Sequence, residues 1–393
     1  MTLDVRTIVV MLVLSSVLMT VTLAVGNRAG RGNGFGKWNI GLGLYALGWL
    51  LIAARGMLPP VLSMAVADAL LLSGLCLQLA AIVEFGGASL PRWLVYAPGP
   101  LLFAALLPLM DQYVHFTALS SASYTVLFLA IAGATLRLGK RAGAARWMLA
   151  GAYAASGVFI AIRAFLMFAD PAGQSDLYKP DLLHSLAFIA LFAATGAGST
   201  AFLLMLRERA ETELRRLALF DPLTELFNRR AFMDLAEREL ARTRRARQPS
   251  AVLMMDLDLF KRVNDDFGHQ AGDRVLAEFA GVAKHSLRSE DLLGRYGGEE
   301  FCAILPGADR MRALAIADRV RTAVASRALA GLPRAITVSI GVMICDTDAA
   351  CTLDAAIAVA DQALYQAKRE GRNRVASMLW SERRADDRLA AAA

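Results

Sequence analysis

The first 206 residues hold a succession of apolar stretches, each close to the ~20 residues an α-helix needs to cross a bilayer core. They run at about 8–25, 38–54, 60–83, 93–110, 116–136, 147–169 and 183–205, about seven candidate spans in all. In hydrocarbon every backbone N–H and C=O must be satisfied inside the segment, so such a series is expected to fold as an all-α transmembrane bundle. The stretch at 93–110 is the weakest, because Pro98, Gly99, Pro100 and Pro108 interrupt a regular helix. The first stretch has neither a basic start nor a small-x-small cleavage pattern and reads as a retained span, not a cleaved leader. Composition agrees: the chain is 56% hydrophobic with mean hydropathy +0.45, and most of the excess precedes Arg207.

Charge placement orients the spans. With the N-terminus outside, the inner connections carry Arg28, Arg31 and Lys37, then Arg92, then Arg137, Lys140, Arg141 and Arg146. The outer ones carry Arg6, Arg55 and Lys179, beside Asp170, Asp176 and Asp181. This positive-inside asymmetry places whatever follows the last span in the cytoplasm, where nucleotide triphosphates are available. The net charge of +7 is then mostly topological; it needs no nucleic acid polymer as partner, while anionic lipid of the bilayer gains from the basic juxtamembrane groups. Within the spans the ionisable residues are few, namely Asp68, Arg163 and, near an end, Glu84. Such groups are costly in lipid and are usually paired or functional, and an ion pair of Asp68 with Arg163 is favoured over a ligand site.

Residues 207–220 follow as a charged helical segment without Gly or Pro. Leu206, Ala210, Leu214 and Leu217 recur at helical spacing and give one apolar stripe. Two readings stand side by side: an amphipathic connector resting on its own domain, and a short parallel coiled coil.

The last part of the chain alternates helical and extended patterns. Helices are expected over 224–247, 271–286, 310–327 and 353–370, strands over 251–256 and 335–344, and a hairpin over 292–305. A mixed sheet flanked by helices results. The hairpin carries Tyr296-Gly297-Gly298-Glu299-Glu300-Phe301, read as a two-residue Gly-Gly turn with both positions at φ > 0, whose bare backbone lets a phosphate approach. Upstream, the apolar run Met254-Met255-Asp256-Leu257-Asp258 ends in acids. Carboxylates gathered beside open backbone suit Mg²⁺ and a nucleotide triphosphate.

Four motifs occur in order over roughly 160 residues: Asp221-Pro222-Leu223-Thr224, then Asp256-Leu257-Asp258-Leu259-Phe260-Lys261 with Asn264 and Gly272-Asp273, then Gly297-Gly298-Glu299-Glu300-Phe301, then Ala363-Leu364-Tyr365 through Lys368, Arg372 and Val375. The set resembles the GGDEF family of diguanylate cyclases, in a Gly-Gly-Glu-Glu-Phe variant. The resemblance implies a palm-like, nucleotide-cyclase-like α/β fold for this part. The chain then divides into a transmembrane sensor or anchor domain over 1–206, a signalling helix over 207–220, a cyclase domain over 221–378 and a disordered tail over 379–393.

The resemblance also implies the chemistry. Two GTP condense to cyclic di-GMP and two pyrophosphates in a bacterial inner membrane protein, and a homodimer is required because each domain holds one GTP. In-line attack of a 3′-hydroxyl on an α-phosphate calls for two Mg²⁺ or Mn²⁺ ions per active site. Asp256, Glu299 and the Leu257 carbonyl are the implied metal ligands, and Glu299 and Glu300 the catalytic carboxylates. Asn264 and Asp273 match positions that hydrogen-bond guanine, whose N1–H and exocyclic amine adenine lacks. Lys261, Gly297, Gly298, Lys368 and Arg372 match positions around the triphosphate. Asp258 is read as strand-end structure, and His269 as structural. Arg288-Ser289-Glu290-Asp291 resembles the family's inhibitory product site, because a guanidinium binds a guanine's Hoogsteen edge through two bonds. Cys76, Cys302, Cys345 and Cys351 show no metal-ligand spacing and read as reduced core thiols.

Overall fold

The apolar stretches of the first half form helices, and the computed structural model describes residues 5–26, 33–169, 182–327, 335–345 and 351–380. The chain separates into two compact units, Met1–Thr212 and Glu213–Ala393. In the first, α1 (Val5–Gly26), α2 (Phe35–Ala53), α3 (Ala67–Phe85), α4 (Arg92–Tyr96), α5 (Pro98–Leu106), α6 (Tyr113–Arg137), α7 (Ala145–Ala169) and α8 (Leu182–Leu219) follow one another. A π-helical turn over Leu62–Val66 leads into α3.

Five of these helical segments are long and apolar enough to cross a membrane: Thr7–Ala24, Leu62–Phe85, Tyr113–Arg137, Ala145–Leu166 and Leu186–Leu219. The expected count of seven is therefore not reached. In α2 the apolar side chains are diluted by four glycines, Lys37 and Asn39. The 93–110 stretch is broken at its prolines into α4, α5 and a 3₁₀ turn, leaving a shorter apolar helix over Pro98–Leu109. Of the orienting charges, Arg28, Arg31, Asp170, Asp176, Lys179 and Asp181 lie outside the described residues.

Small residues let this unit pack closely. A Cβ on Gly41 would lie 2.7 Å from the Gly74 carbonyl oxygen, and one on Gly74 would lie 2.6 Å from that of Gly41, so α2 and α3 cross backbone to backbone. Trp38 stacks on Phe202 with ring centroids 4.3 Å apart, and Tyr153 donates to Gln78 at 2.6 Å. Large apolar side chains such as Leu14, Leu18, Val126 and Phe165 stand exposed around the outside, as a surface facing hydrocarbon requires. Glu84 pairs with Lys37 at 2.6 Å and accepts from the Gly34 amide.

In the second unit a five-stranded sheet of order β2-β3-β1-β4-β5 is built from β1 (Ser250–Leu257), β2 (Leu292–Arg295), β3 (Glu300–Pro306), β4 (Val338–Cys345) and β5 (Val375–Leu379). All neighbours are antiparallel except β4 and β5, so the sheet is mixed. The helices are α9 (Arg229–Arg245), α10 (Phe260–Phe267), α11 (His269–Ser286), α12 (Arg310–Ala325) and α13 (Leu353–Arg369). Strand β1 is buried along its whole length because both faces are covered. Ala251, Leu253 and Met255 join the core with Phe279 of α11 and Val320 of α12. Val252 and Met254 join the opposite core with Phe232 of α9 and Ala360 of α13. The period of two thereby puts Asp256, the next residue of the second set, on the α13 face.

Three expectations are corrected. Residues 224–228 are not helical: α9 begins at Arg229, where Asn228 caps it by accepting from the Ala231 amide at 3.0 Å. Helix α10 and strand β5 were not anticipated, and Leu379, assigned to a tail, closes β5; the rest of that tail from residue 381 lies outside the described residues. Cys302 and Cys76 are buried, but Cys345 and Cys351 are only half-buried, with the Cys351 thiol donating to the Thr352 carbonyl at 3.3 Å.

The tightest joint in this unit is Gly341 on β4 beneath α13. A Cβ there would meet the Ala360 carbonyl oxygen at 2.0 Å and the Leu364 nitrogen at 2.2 Å, both backbone atoms. Gly341→Ala is expected to push α13 off the sheet and cost about 1–3 kcal/mol; denaturant unfolding of the full chain measures it, and unchanged stability would show that the helix has room to shift.

Candidate active site

The site forms where β1 ends. Asp256 stands directly opposite Glu300 on β3 and Ser339 on β4, and the Leu257 amide donates to the Glu299 carbonyl at 3.4 Å. The last turn of α13, on the same face as Asp256, delivers Lys368, whose Nζ lies 2.9 Å from Asp256 Oδ2. Asp256 is 5% exposed. Burial raises its carboxyl above the ordinary value; Lys368 pulls it back, while Asp258 and Asp361 add repulsion. Burial likewise raises Glu299, reinforced by the charges of Asp256 and Glu300 and opposed by Lys368. Sequence spacing did not suggest that Lys368 would touch Asp256.

The glycine loop departs from the expected turn. Four residues, Tyr296 to Glu299, connect β2 to β3, and the Tyr296 and Gly297 amides both donate to the Glu300 carbonyl, at 2.8 and 3.1 Å. Neither Gly297 nor Gly298 is among the left-handed residues. Gly297 serves space instead, since a Cβ there would crowd Glu300 Oε2, while Gly298 faces open volume.

A half-buried scaffold that sequence reasoning did not assign holds this loop. Arg295 donates to the Gly298 carbonyl at 3.2 and 2.8 Å and to Asp221 at 3.0 and 3.2 Å. Asp221 also accepts from the Thr224 amide and hydroxyl. Burial works against the Asp221 charge, but the Thr224 and Arg295 bonds outweigh it and hold the carboxyl below its ordinary value. The signal was available: an Asp opening one motif and the Arg at the end of the strand before another.

Asp258 has a separate task. Its carboxylate accepts from Thr337 Oγ1 at 2.6 Å, Ser339 Oγ at 2.7 Å and the Asn373 amide at 3.0 Å. Those bonds fix the turn where Arg372 and Asn373 take left-handed φ of 60° and 46°. Lys261 lies exposed in the first turn of α10, Asn264 lies further along it, and Asp273 is exposed on α11. A Cβ on Gly272 would overlap Asn264 Oδ1, so the glycine clears a place for that side chain. Arg288 and Asp291 form a closed turn away from the β1 end: Asp291 Oδ2 accepts from the Arg288 amide at 2.8 Å, and the Arg288 side chain is 44% exposed.

Among the described residues no group of three or more His, Cys, Asp or Glu side chains gathers to hold a metal. The pair Asp256 and Glu299 nevertheless fits a hard divalent cation. Its donors are all oxygen, both carboxyls are raised by burial and by neighbouring acids, and a cationic Lys368 nitrogen already stands against Asp256.

Comparison with known proteins bears on this geometry. Residues 218–374 match the family described as diguanylate cyclase, GGDEF domain. Diguanylate cyclase DgcP of Pseudomonas aeruginosa is 42% identical over 163 residues, 41% of this chain and 24% of that protein. Diguanylate cyclase DgcM of Escherichia coli is 39% identical over 169 residues, 43% of this chain and 40% of that protein. Among solved structures, the coiled coil and GGDEF domain of DgcB from Caulobacter crescentus in complex with c-di-GMP is 35% identical, covering 46% of this chain and 96% of that one, with a TM-score of 0.42. The second unit of the chain thus contains a GGDEF domain over residues 218–374. The chain spans 24% of the length of the first of these curated relatives and 40% of the second.

The raised carboxyls define a pH dependence. A carboxyl whose folded pKa exceeds its unfolded value favours the fold while protonated and loses that contribution as pH rises through the raised value. A cation needs the ionised form, so Mn²⁺ affinity should fall as pH drops through the raised pKa values of Asp256 and Glu299. Lys368→Met removes the group that lowers Asp256 and should move this acid limb to higher pH. Mn²⁺ titration by electron spin resonance across pH checks it; a limb unmoved by the substitution would remove Lys368 from the charge balance.

Proposed function

We propose that the chain is a membrane-bound diguanylate cyclase that condenses two GTP into cyclic di-GMP and two pyrophosphates. The observation that carries this is the convergence of Asp256, Glu299 and Lys368 at the end of β1, beside the open backbone of Gly298. The likeness to named diguanylate cyclases supports it.

Asp256, Glu299 and the Leu257 carbonyl would hold Mg²⁺ or Mn²⁺, two per active site. Bound there, a divalent ion supplies positive charge to the reacting phosphate. The remaining work falls to the chain. Lys368 and Lys261 offset negative charge on the triphosphate, with Arg372 placed near it by the Asp258-bound turn. The Gly297 and Gly298 backbone admits the phosphates. Asp273 accepts from guanine's N1–H and amine while Asn264 bonds its remaining edge, so a purine lacking those donors leaves the acceptors unmatched. Glu300 adds negative charge beside Glu299 and strengthens its hold on a cation.

Each domain takes one GTP, so two domains must face each other for both bonds to form. Leu214 and Leu217 on α8 support a parallel helix pair, since they are 66% and 52% exposed and do not rest on the chain's own domain. The apolar helices support a bacterial inner membrane location. The outside N-terminus and the cytoplasmic placement of the cyclase domain rest on the positive-inside pattern, with α2 and the Pro98–Leu109 segment counted as crossings beside the five longer helices.

Glu299→Gln tests the catalytic assignment. Losing one carboxylate charge should abolish cyclic di-GMP synthesis while GTP still binds, because the guanine contacts remain; synthesis near the wild-type rate would sink the assignment.

Product feedback is the second part of the reading. Arg288, with its exposed guanidinium, and Asp291 are proposed to hold cyclic di-GMP at a site distinct from the GTP site, which couples the two by a shared equilibrium. Arg288→Ala should leave initial velocity intact and remove the slowing that builds with product. Progress curves with and without added cyclic di-GMP decide it, and equal inhibition of both proteins would discard the site.

A further inference from the structure

Glu225 holds a strained backbone conformation. Its φ is 56°, in the left-handed region where a Cβ is crowded and glycine is favoured. The contact that accompanies this strain is an ion pair, in which Glu225 Oε1 accepts from Arg216 Nη2 at 2.6 Å. The Arg216 and Glu225 side chains are 53% and 73% exposed, and a pair so placed adds little stability. The strain is therefore not offset within the fold, which is the pattern of a residue kept for what it does.

The position of the pair gives its task. Arg216 lies in the last turn of α8, and Glu225 lies in the turn that joins α8 to α9. That turn grips the end of α8. Asn228 donates through its amide to the Leu219 carbonyl and through Nδ2 to the Ala218 carbonyl, each at 2.9 Å. Phe220 stacks on Phe227 with ring centroids 5.1 Å apart. The same turn grips the glycine loop. The Phe227 carbonyl accepts from the Arg295 amide at 2.9 Å, and the Asp221 carbonyl accepts from the Glu225 amide at 2.9 Å. Asp221 in turn holds the Arg295 side chain, which bonds the Gly298 carbonyl. One short turn thus joins the end of α8 to the glycine loop, and the tie between Arg216 and Glu225 is its solvent-facing ionic part.

We infer that Arg216 and Glu225 form a releasable clip that fixes the direction of the last turns of α8 and, with it, the setting of the glycine loop. Both are positioning residues that act through Asp221 and Arg295. The inference rests on the reading above in which two cyclase domains, carried on paired α8 helices, must face each other, because the direction of α8 governs that encounter. The clip opens without disturbing the core, since the Asn228 bonds and the aromatic stack stay in place.

The test uses the full-length protein in nanodiscs with GTP and Mg²⁺, as wild type, Glu225→Gly, Arg216→Gln and the double variant. Glu225→Gly relieves the strained φ, so its thermal midpoint should stay level or rise. Its kcat for cyclic di-GMP should nevertheless fall about threefold or more, with KM for GTP unchanged. A residue that served only the fold would not lose turnover while keeping stability. Arg216→Gln should lower kcat by the same factor, and the double variant no further, because each change removes the same tie. Raising KCl from about 50 mM to about 500 mM should narrow the gap between wild type and variants, since exposed charges are screened. A wild-type kcat in either single variant overturns the inference. So does a thermal midpoint of Glu225→Gly that falls together with kcat, an additive loss in the double variant, or a gap indifferent to salt. Hydrogen exchange over residues 213–228 reads the clip without turnover, and both single variants should exchange faster there than wild type. If the wild type turns over no GTP, the cyclase reading fails and exchange alone decides the clip, with unchanged exchange overturning it.

Discussion

Everything at the cyclase-like site depends on a conflict of charge. Asp256 is nearly buried and is pushed up by burial and by Asp258 and Asp361, while Glu299 is pushed up by burial and by Asp256 and Glu300. A pair of this kind is unstable in isolation, since desolvated like charges favour protonation. Lys368 at 2.9 Å offsets part of the repulsion, and a divalent cation would offset the rest. The fold pre-arranges this tension. Strand β1 is clamped on both faces, so Asp256 cannot withdraw to water, and the α13 backbone packed on Gly341 fixes where Lys368 emerges.

Neighbouring acids in the same motifs meet opposite fates, and the difference lies in their partners. Asp258 is two residues from Asp256, yet its oxygens are taken by two hydroxyls and a backbone amide. A carboxylate so satisfied is a structural fastener, here of the turn that carries Arg372. Asp221 is satisfied through Thr224 and Arg295, and Arg295 passes the constraint to the Gly298 carbonyl. Asp256 and Glu299 differ: each has acidic neighbours that raise it, and Lys368 is the cation opposing both.

What was legible in the sequence followed from periodicity and burial. The runs that became β1, β3 and β4 are apolar on both faces, a signal that survives without tertiary context. Strand β5 gave none, because Val375 to Leu379 is half-buried throughout and sits beside the sheet only through parallel pairing with β4. Helix α10 spans two turns, too short for a helical period to stand out. The glycine loop misled because Gly-Gly suits a two-residue turn, whereas here clearance over Glu300 and not left-handed φ explains Gly297. In the first half, hydropathy found every helical segment but overcounted those able to span, since glycine in α2 and proline near α5 serve packing and bending at the expense of apolar length.

The polar groups of the N-terminal unit extend the same logic into a less forgiving medium. A surface-near pair such as Lys37 with Glu84 keeps part of its solvation, so its cost is modest. Asp68 is bound instead by two hydroxyls, which satisfy its oxygens but bring no balancing charge. The guanidiniums of Arg55 and Arg163 line the same small cavity as Asp68. Bundles that only need to fill space do so with the residues seen elsewhere in this unit, stacked aromatics and glycine crossings. Holding three ionisable groups around a void costs stability in comparison, and that cost is what distinguishes this end of the bundle from its packed remainder.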